Sequence, residues 1–153
     1  MSPWKATPPK DDDGYFESLT THIFSAGLNW KVVENKKTGF EKAFAKFSPA
    51  KVAKFTEGDV KRLMGDTGIV RNEKKIRATI QNAAQFLEVK REFGSFKDYM
   101  EKFGEDEKGL QSDISERFHH VGLSTARMFL WAVGYKLTPT KEEKAWMADY
   151  REM

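Results

Sequence analysis

From Tyr15 onward, apolar residues recur at spacings of three and four, and no segment alternates every second residue over the length of a strand. Spacings of three and four put side chains on one face of an α-helix, whereas a sheet face needs a period of two. The chain is therefore expected to be all-α. Phe16, Leu19, Thr20, Ile23 and Phe24 form one such stripe, and Ala26-Gly27 suits its end. Asn29 is placed to cap a second helix carrying Trp30, Val32, Val33 and, further on, Phe40, Phe44 and Phe47. Ser48-Pro49 is a cap followed by proline at the first helical position. Thr56 to Asp59 and Ser95 to Asp98 resemble capping boxes with Asp in the usual Glu place, and Thr140 to Glu143 fits the rule outright. Asn72 is placed to cap a long helix with Ile76, Ile80, Ala83, Ala84 and Leu87 on its apolar face, running to Lys90, with Gly94 as its stop. Such signals predict about eight or nine short helices joined by brief loops. Residues 1–14, with Pro3, Pro8, Pro9 and three consecutive aspartates, read as an extended N-terminal arm. Residues 15–153 read as one compact helical domain.

Composition supports a packed core. Of 153 residues, 39% are hydrophobic, including 12 Phe and 4 Trp, which excludes a disordered chain. The net charge of +3 is compatible with a polyanionic partner and too small to argue for one. Cysteine is absent, which removes disulfides, thiol nucleophiles and cysteine-ligated zinc. No signal peptide and no bilayer-length apolar run is present, so a soluble cytoplasmic protein without a membrane partner is expected.

One stretch near the C-terminus carries a functional signal. In Phe118-His-His-Val-Gly-Leu-Ser-Thr-Ala126, Val121-Gly122 precedes Thr125-Ala126, which opens an apolar helical run through Val133. Gly122 permits a tight turn and close approach of another backbone, and the helix after it presents unpaired N–H groups to an anion. The stretch resembles the hairpin of the helix-hairpin-helix motif, whose role is to grip the DNA backbone without reading sequence. Backbone N–H groups around Val121, Gly122, Ser124 and Thr125 would make that contact, with the two hydroxyls as helpers and Arg127 following. His119 and His120 flank the turn, and Lys36, Lys37, Arg71, Lys74 and Lys75 extend a candidate basic surface. An ordinary tight turn between core helices is the plainer alternative.

Upstream blocks name a family. Ala26-Gly-Leu-Asn-Trp30, Phe47-Ser-Pro-Ala-Lys-Val-Ala53, Gly68-Ile-Val-Arg-Asn72 and Lys75-Ile76 leading to Asn82-Ala83 follow one another in order. Together they resemble the 3-methyladenine DNA glycosylase I family, and Gly94-Ser-Phe and Arg117 through Gly134 continue the likeness. The resemblance implies the helix-hairpin-helix DNA glycosylase fold, a compact two-lobed all-α domain with a base pocket in a cleft. It also implies excision of alkylated purines, such as 3-methyladenine, from double-stranded DNA by hydrolysis of the N-glycosidic bond. The base must leave the stack and lie against aromatic and hydrogen-bonding groups. An alkylated purine is cationic, so an aromatic face adds attraction.

Trp30 matches the family's stacking tryptophan, with a core tryptophan as the alternative. Trp4 is placed to close the pocket or to anchor the arm. Four residues before Ala26, where the family typically has a base-binding glutamate, this chain has His22. Neutral imidazole can still bond the base, whereas imidazolium would repel it. The family's N-terminal zinc-ligating segment is missing between Trp4 and Asp11, and its C-terminal ligands are replaced by residues 135–153, so neither zinc nor any other cofactor is expected. No aspartate follows the hairpin helix in Gly134 to Pro139, as in the resembled family. Glu34, one turn beyond Trp30, is the candidate catalytic carboxylate, and a solvated helix-face charge is its alternative reading. The expectation is a monomeric DNA-repair glycosylase. The alternatives are a non-catalytic module of the same fold that recognises damaged or abasic DNA, and an interaction protein with a vestigial cleft.

Overall fold

The computed structural model describes residues 7–152. Among them lie ten α-helices, one short 3₁₀ turn and no strand. The order is α1 (Asp12–Ser25), α2 (Trp30–Glu34), α3 (Lys37–Ala43), the 3₁₀ turn (Ala45–Phe47), α4 (Pro49–Val52) and α5 (Glu57–Met64). There follow α6 (Glu73–Phe93), α7 (Phe96–Lys102), α8 (Glu107–Arg117), α9 (Leu123–Ala132) and α10 (Lys141–Glu152). Trp4 lies outside the described residues. No helix among them is long and apolar enough to cross a membrane.

The caps explain where helices start. Asn29, Ser48, Asn72 and Ser95 each accept a backbone N–H with the side chain, and Thr56 forms a capping box with Asp59. Thr140 and Glu143 exchange bonds of 2.8 and 3.1 Å in the same way. Three expectations need correction. First, α1 begins inside the arm, because Asp11 caps it through the Gly14 N–H at 3.0 Å. Asp12 and Asp13 then sit in the first turn, where negative charge suits the helix dipole. Second, the helix expected from Trp30 through Phe47 is broken. Ala45, Lys46 and Phe47 have φ of 52°, 55° and 58°, a left-handed conformation that ends α3. Third, the buried face of α6 is rotated from the expected one. Thr79, Asn82, Phe86 and Val89 are buried beside Ile76 and Ala83, while Ala84 and Leu87 are exposed.

Helix α6 is the axis of the fold, packed against α1, α4, α5 and α7. One aromatic group gathers Phe24, Phe40, Phe44, Phe47 and Phe55. A second gathers Phe86, Phe96, Tyr99, Phe118 and Phe129. Phe16 on α1 bridges them, 6.0 Å from Phe47 and 5.3 Å from Phe86 by ring centroid. The residues before α1 are fastened to the end of α9. Thr7 donates its N–H to the Ala132 carbonyl at 3.2 Å, and Pro8 packs where a Cβ on Gly134 (φ 86°) would come within 2.8 Å.

Among the glycines, Gly39 packs most tightly against another backbone, since a Cβ there would lie 2.0 Å from the Gly68 carbonyl oxygen. Neither backbone can yield cheaply, so Gly39→Ala is expected to cost about 3 kcal/mol of stability. Denaturant unfolding checks this as a lowered midpoint at unchanged slope.

Candidate functional site

Helix α1 presents Gly14, Glu17, Ser18, Thr21 and His22 on one stripe, at the spacing that puts residues on a common face. That stripe forms one wall of an open cleft of about 620 Å³. Trp30, Val33 and Glu34 from α2, Lys37 and Phe40 from α3, and Phe47 form the rest, and Thr7, Pro9 and Ala132 close one side. The left-handed turn matters here because it delivers Phe47 into the cleft.

His22 is only 8% exposed, and its Nδ1 lies 2.7 Å from the Ser18 carbonyl oxygen. A carbonyl only accepts, so Nδ1 carries the proton and neutral Nε2 keeps a free lone pair. Burial pushes the His22 pKa below its ordinary value of 6.5, with the Ser18 bond opposing. Burial thus favours the neutral ring. Trp30 lies beside it at 5.2 Å between centroids, and Phe129 of α9 meets it edge-on at 6.1 Å. Trp30 itself is 45% exposed, so it is not a core tryptophan. As the first residue of α2, it is held by the Asn29 cap, whose side chain accepts from Lys31 N–H at 2.8 Å.

Lys75 supports this region from below. It is 7% exposed, and its ammonium donates to the carbonyls of Phe24 and Ala26 at 3.3 and 2.8 Å. A cation there suits the C-terminus of α1 and fixes the turn leading to Trp30. Lys75 therefore does not belong to a basic surface. Lys36 is tied to the Thr67 carbonyl, Lys37 lines the cleft, and Arg71 and Lys74 remain exposed.

The hairpin lies at the other end of α9. Ten residues separate Gly122 from Ala132, about 15 Å along a helix. Asn82 of α6, 1% exposed, clamps the turn by accepting the His119 N–H at 2.6 Å and donating to its carbonyl at 3.1 Å. Ser115 donates to the Val121 carbonyl at 2.7 Å and Gln111 to that of Leu123 at 2.8 Å. Alternate carbonyls are thereby held by side chains. The backbone N–H groups of residues 120–125 meet no acceptor among the described residues. Val121 is buried, Gly122 and Ser124 are exposed, and Thr125 is half-buried. The expectation for Gly122 changes: its φ of −78° is open to any residue, and the left-handed position is His120, at 63°. A Cβ on Gly122 would meet nothing within 4 Å.

Arg127 is engaged within the protein. Its guanidinium bonds Glu143 at 2.7 and 3.0 Å and the Thr138 carbonyl at 3.0 Å, and it holds the Glu143 carboxyl down to about 2. It thus docks α10. His22, Trp30 and Glu34 share the cleft, while the hairpin residues form a separate surface. Sequence reasoning missed Glu17, Lys37 and Phe47 in the cleft and Ser115 and Gln111 at the hairpin. Glu17 was findable, since it lies on the stripe that carries His22; the hairpin clamps come from distant helices.

The family model described as methyladenine glycosylase matches residues 2–129. The chain is 36% identical over 96 residues to DNA-3-methyladenine glycosylase 1 of Escherichia coli (strain K12), covering 63% of this chain and 51% of the relative. It is 29% identical over 109 residues to DNA-3-methyladenine glycosylase of Haemophilus influenzae (strain ATCC 51907 / DSM 11121 / KW20 / Rd), covering 71% of this chain and 58% of that one. The chain thus spans about half the length of the curated relatives it matches. A solved structure of 3-methyladenine DNA glycosylase I from Staphylococcus aureus, which concerns its recognition of 3-methyladenine, superposes with a TM-score of 0.77. That pair is 29% identical over 85% of this chain and 80% of the other.

Proposed function

This chain belongs to the methyladenine glycosylase family, and we propose that it excises alkylated purines such as 3-methyladenine from double-stranded DNA. The observation that carries the reading is the His22–Trp30 pair, a neutral buried acceptor beside a half-exposed indole in one cleft. The hairpin N–H groups receive phosphate oxygens and hold the duplex. A flipped base enters the cleft, where the Trp30 face attracts its positive charge. His22 Nε2 accepts from the exocyclic amine in place of the glutamate typical of the family. Cleavage then needs little further push, because alkylation has already weakened the N-glycosidic bond. Action as a monomer, without metal or cofactor, belongs to the same proposal. Among the described residues, no three His, Asp or Glu side chains gather as metal ligands do.

Release of free 3-methyladenine from a methylated duplex tests the reading. Tight abasic-site binding without release would instead favour the non-cleaving module, and no salt-sensitive duplex affinity would remove both. The pH dependence is also fixed. Because folding lowers the His22 pKa from 6.5, its penalty is absent above that value and grows as pH falls from there to the folded-state value. Stability should hold above 6.5 and decline below it, while excision should persist further into acid and fall only as pH approaches the lowered His22 pKa of the folded protein. His22→Gln, which keeps an acceptor and cannot protonate, should flatten the acid limb of the excision profile.

A further inference from the structure

The cleft contains an ionisable group with no part in the chemistry above. Glu17 stands on the α1 stripe with Thr21 and His22 and is half-buried. Polar neighbours on that stripe are engaged within the helix: Thr21 Oγ1 donates to the Glu17 carbonyl at 2.7 Å, and His22 Nδ1 to the Ser18 carbonyl. The Glu17 carboxylate has no hydrogen bond or ion pair with any described residue. Burial raises its pKa; Lys37 across the cleft opposes this and Glu41 on α3 reinforces it. An unpaired carboxylate partly withdrawn from water is costly to keep, and in a cleft it marks a place for a charged ligand.

Resting on the base-excision reading, we propose that Glu17 is a specificity-determining residue, the anionic partner that selects cationic purines over neutral ones. A purine alkylated at N3 carries its positive charge while joined to the sugar. When the C1′–N9 bond breaks, its electron pair passes to N9 and the base leaves neutral. The charge moves to the sugar, water attacks C1′, and a proton is lost to solvent. A carboxylate in the cleft favours the charged base at entry, a task neutral His22 cannot perform.

The test uses the full chain, with 3,9-dimethyladeninium as the cationic probe, 9-methyladenine as the neutral one, and release of 3-methyladenine from duplex DNA. Glu17→Gln should weaken cation binding about tenfold, leave the neutral probe within about twofold, and slow release about tenfold. Glu17→Asp should recover part of the loss. Glu41→Gln, the same charge change outside the cleft lining, should keep the preference for the cation. Thermal unfolding of Glu17→Gln should stay at or above that of the parent, since an unpaired charge is removed. Equal loss for both probes, no loss for either, or the same loss in Glu41→Gln overturns the proposal. A parent protein that releases no base overturns the base-excision reading itself, whereas release unaffected by Glu17→Gln overturns only this inference.

Discussion

Gly122→Leu should leave the unfolding transition where it is and weaken binding to every duplex, methylated or not, about a hundredfold. The first half follows from geometry. Gly122 has an ordinary φ, and a Cβ there meets nothing within 4 Å, so the fold gives no reason for a glycine. The second half follows from the N–H groups of residues 120–125, which lack acceptors among the described residues. Phosphate oxygens must come close to them, and a leucine side chain would fill that approach. Losing two hydrogen bonds to a charged group costs about 3 kcal/mol, roughly two orders of magnitude in affinity. Anisotropy titrations at several salt concentrations would measure it. An unchanged affinity would remove the hairpin from the interface, and a lowered unfolding midpoint would return Gly122 to a structural role.

Trp30→Ala should act on a different step. Excision of 3-methyladenine should fall about 10- to 100-fold, the range of base–aromatic stacking with a cation contribution added. Duplex affinity should change little, because Trp30 stands at the end of α9 remote from the hairpin. Stability should also be nearly preserved, since the side chain is 45% exposed. Single-turnover excision beside duplex binding separates the two effects. Trp30→Phe should recover part of the rate. Equal loss of binding and excision would count against the cleft as the base site.

The two surfaces were unequally legible in the sequence. Helix starts were readable because caps are local: Asn29, Ser48, Thr56, Asn72 and Ser95 all act within three residues of themselves. His22 and Trp30 were readable because each occupies a position in a recognisable block. The break at Ala45–Phe47 was not, since three left-handed residues without glycine violate local preference and persist only where packing holds them. Phe47 is held among Phe16 and Phe44. The fate of the basic residues was equally hidden. Lys75 and Arg127 read as surface cations until their partners are known, and those partners lie 49 and 16 positions away for Ala26 and Glu143.

An all-helical chain, the start of most helices, membership of a family and three residues that line the cleft, His22, Trp30 and Glu34, were readable from the sequence. These depend on periodicity, capping and ordered blocks, which are properties of short spans. Tertiary structure alone decided which cations are free, that Glu17 stands unpaired beside His22, and that the fold gives no reason for a glycine at position 122. Those facts depend on what distant segments do to one another: burial favours the neutral form of His22, and Asn82, Ser115 and Gln111 hold the hairpin's carbonyls.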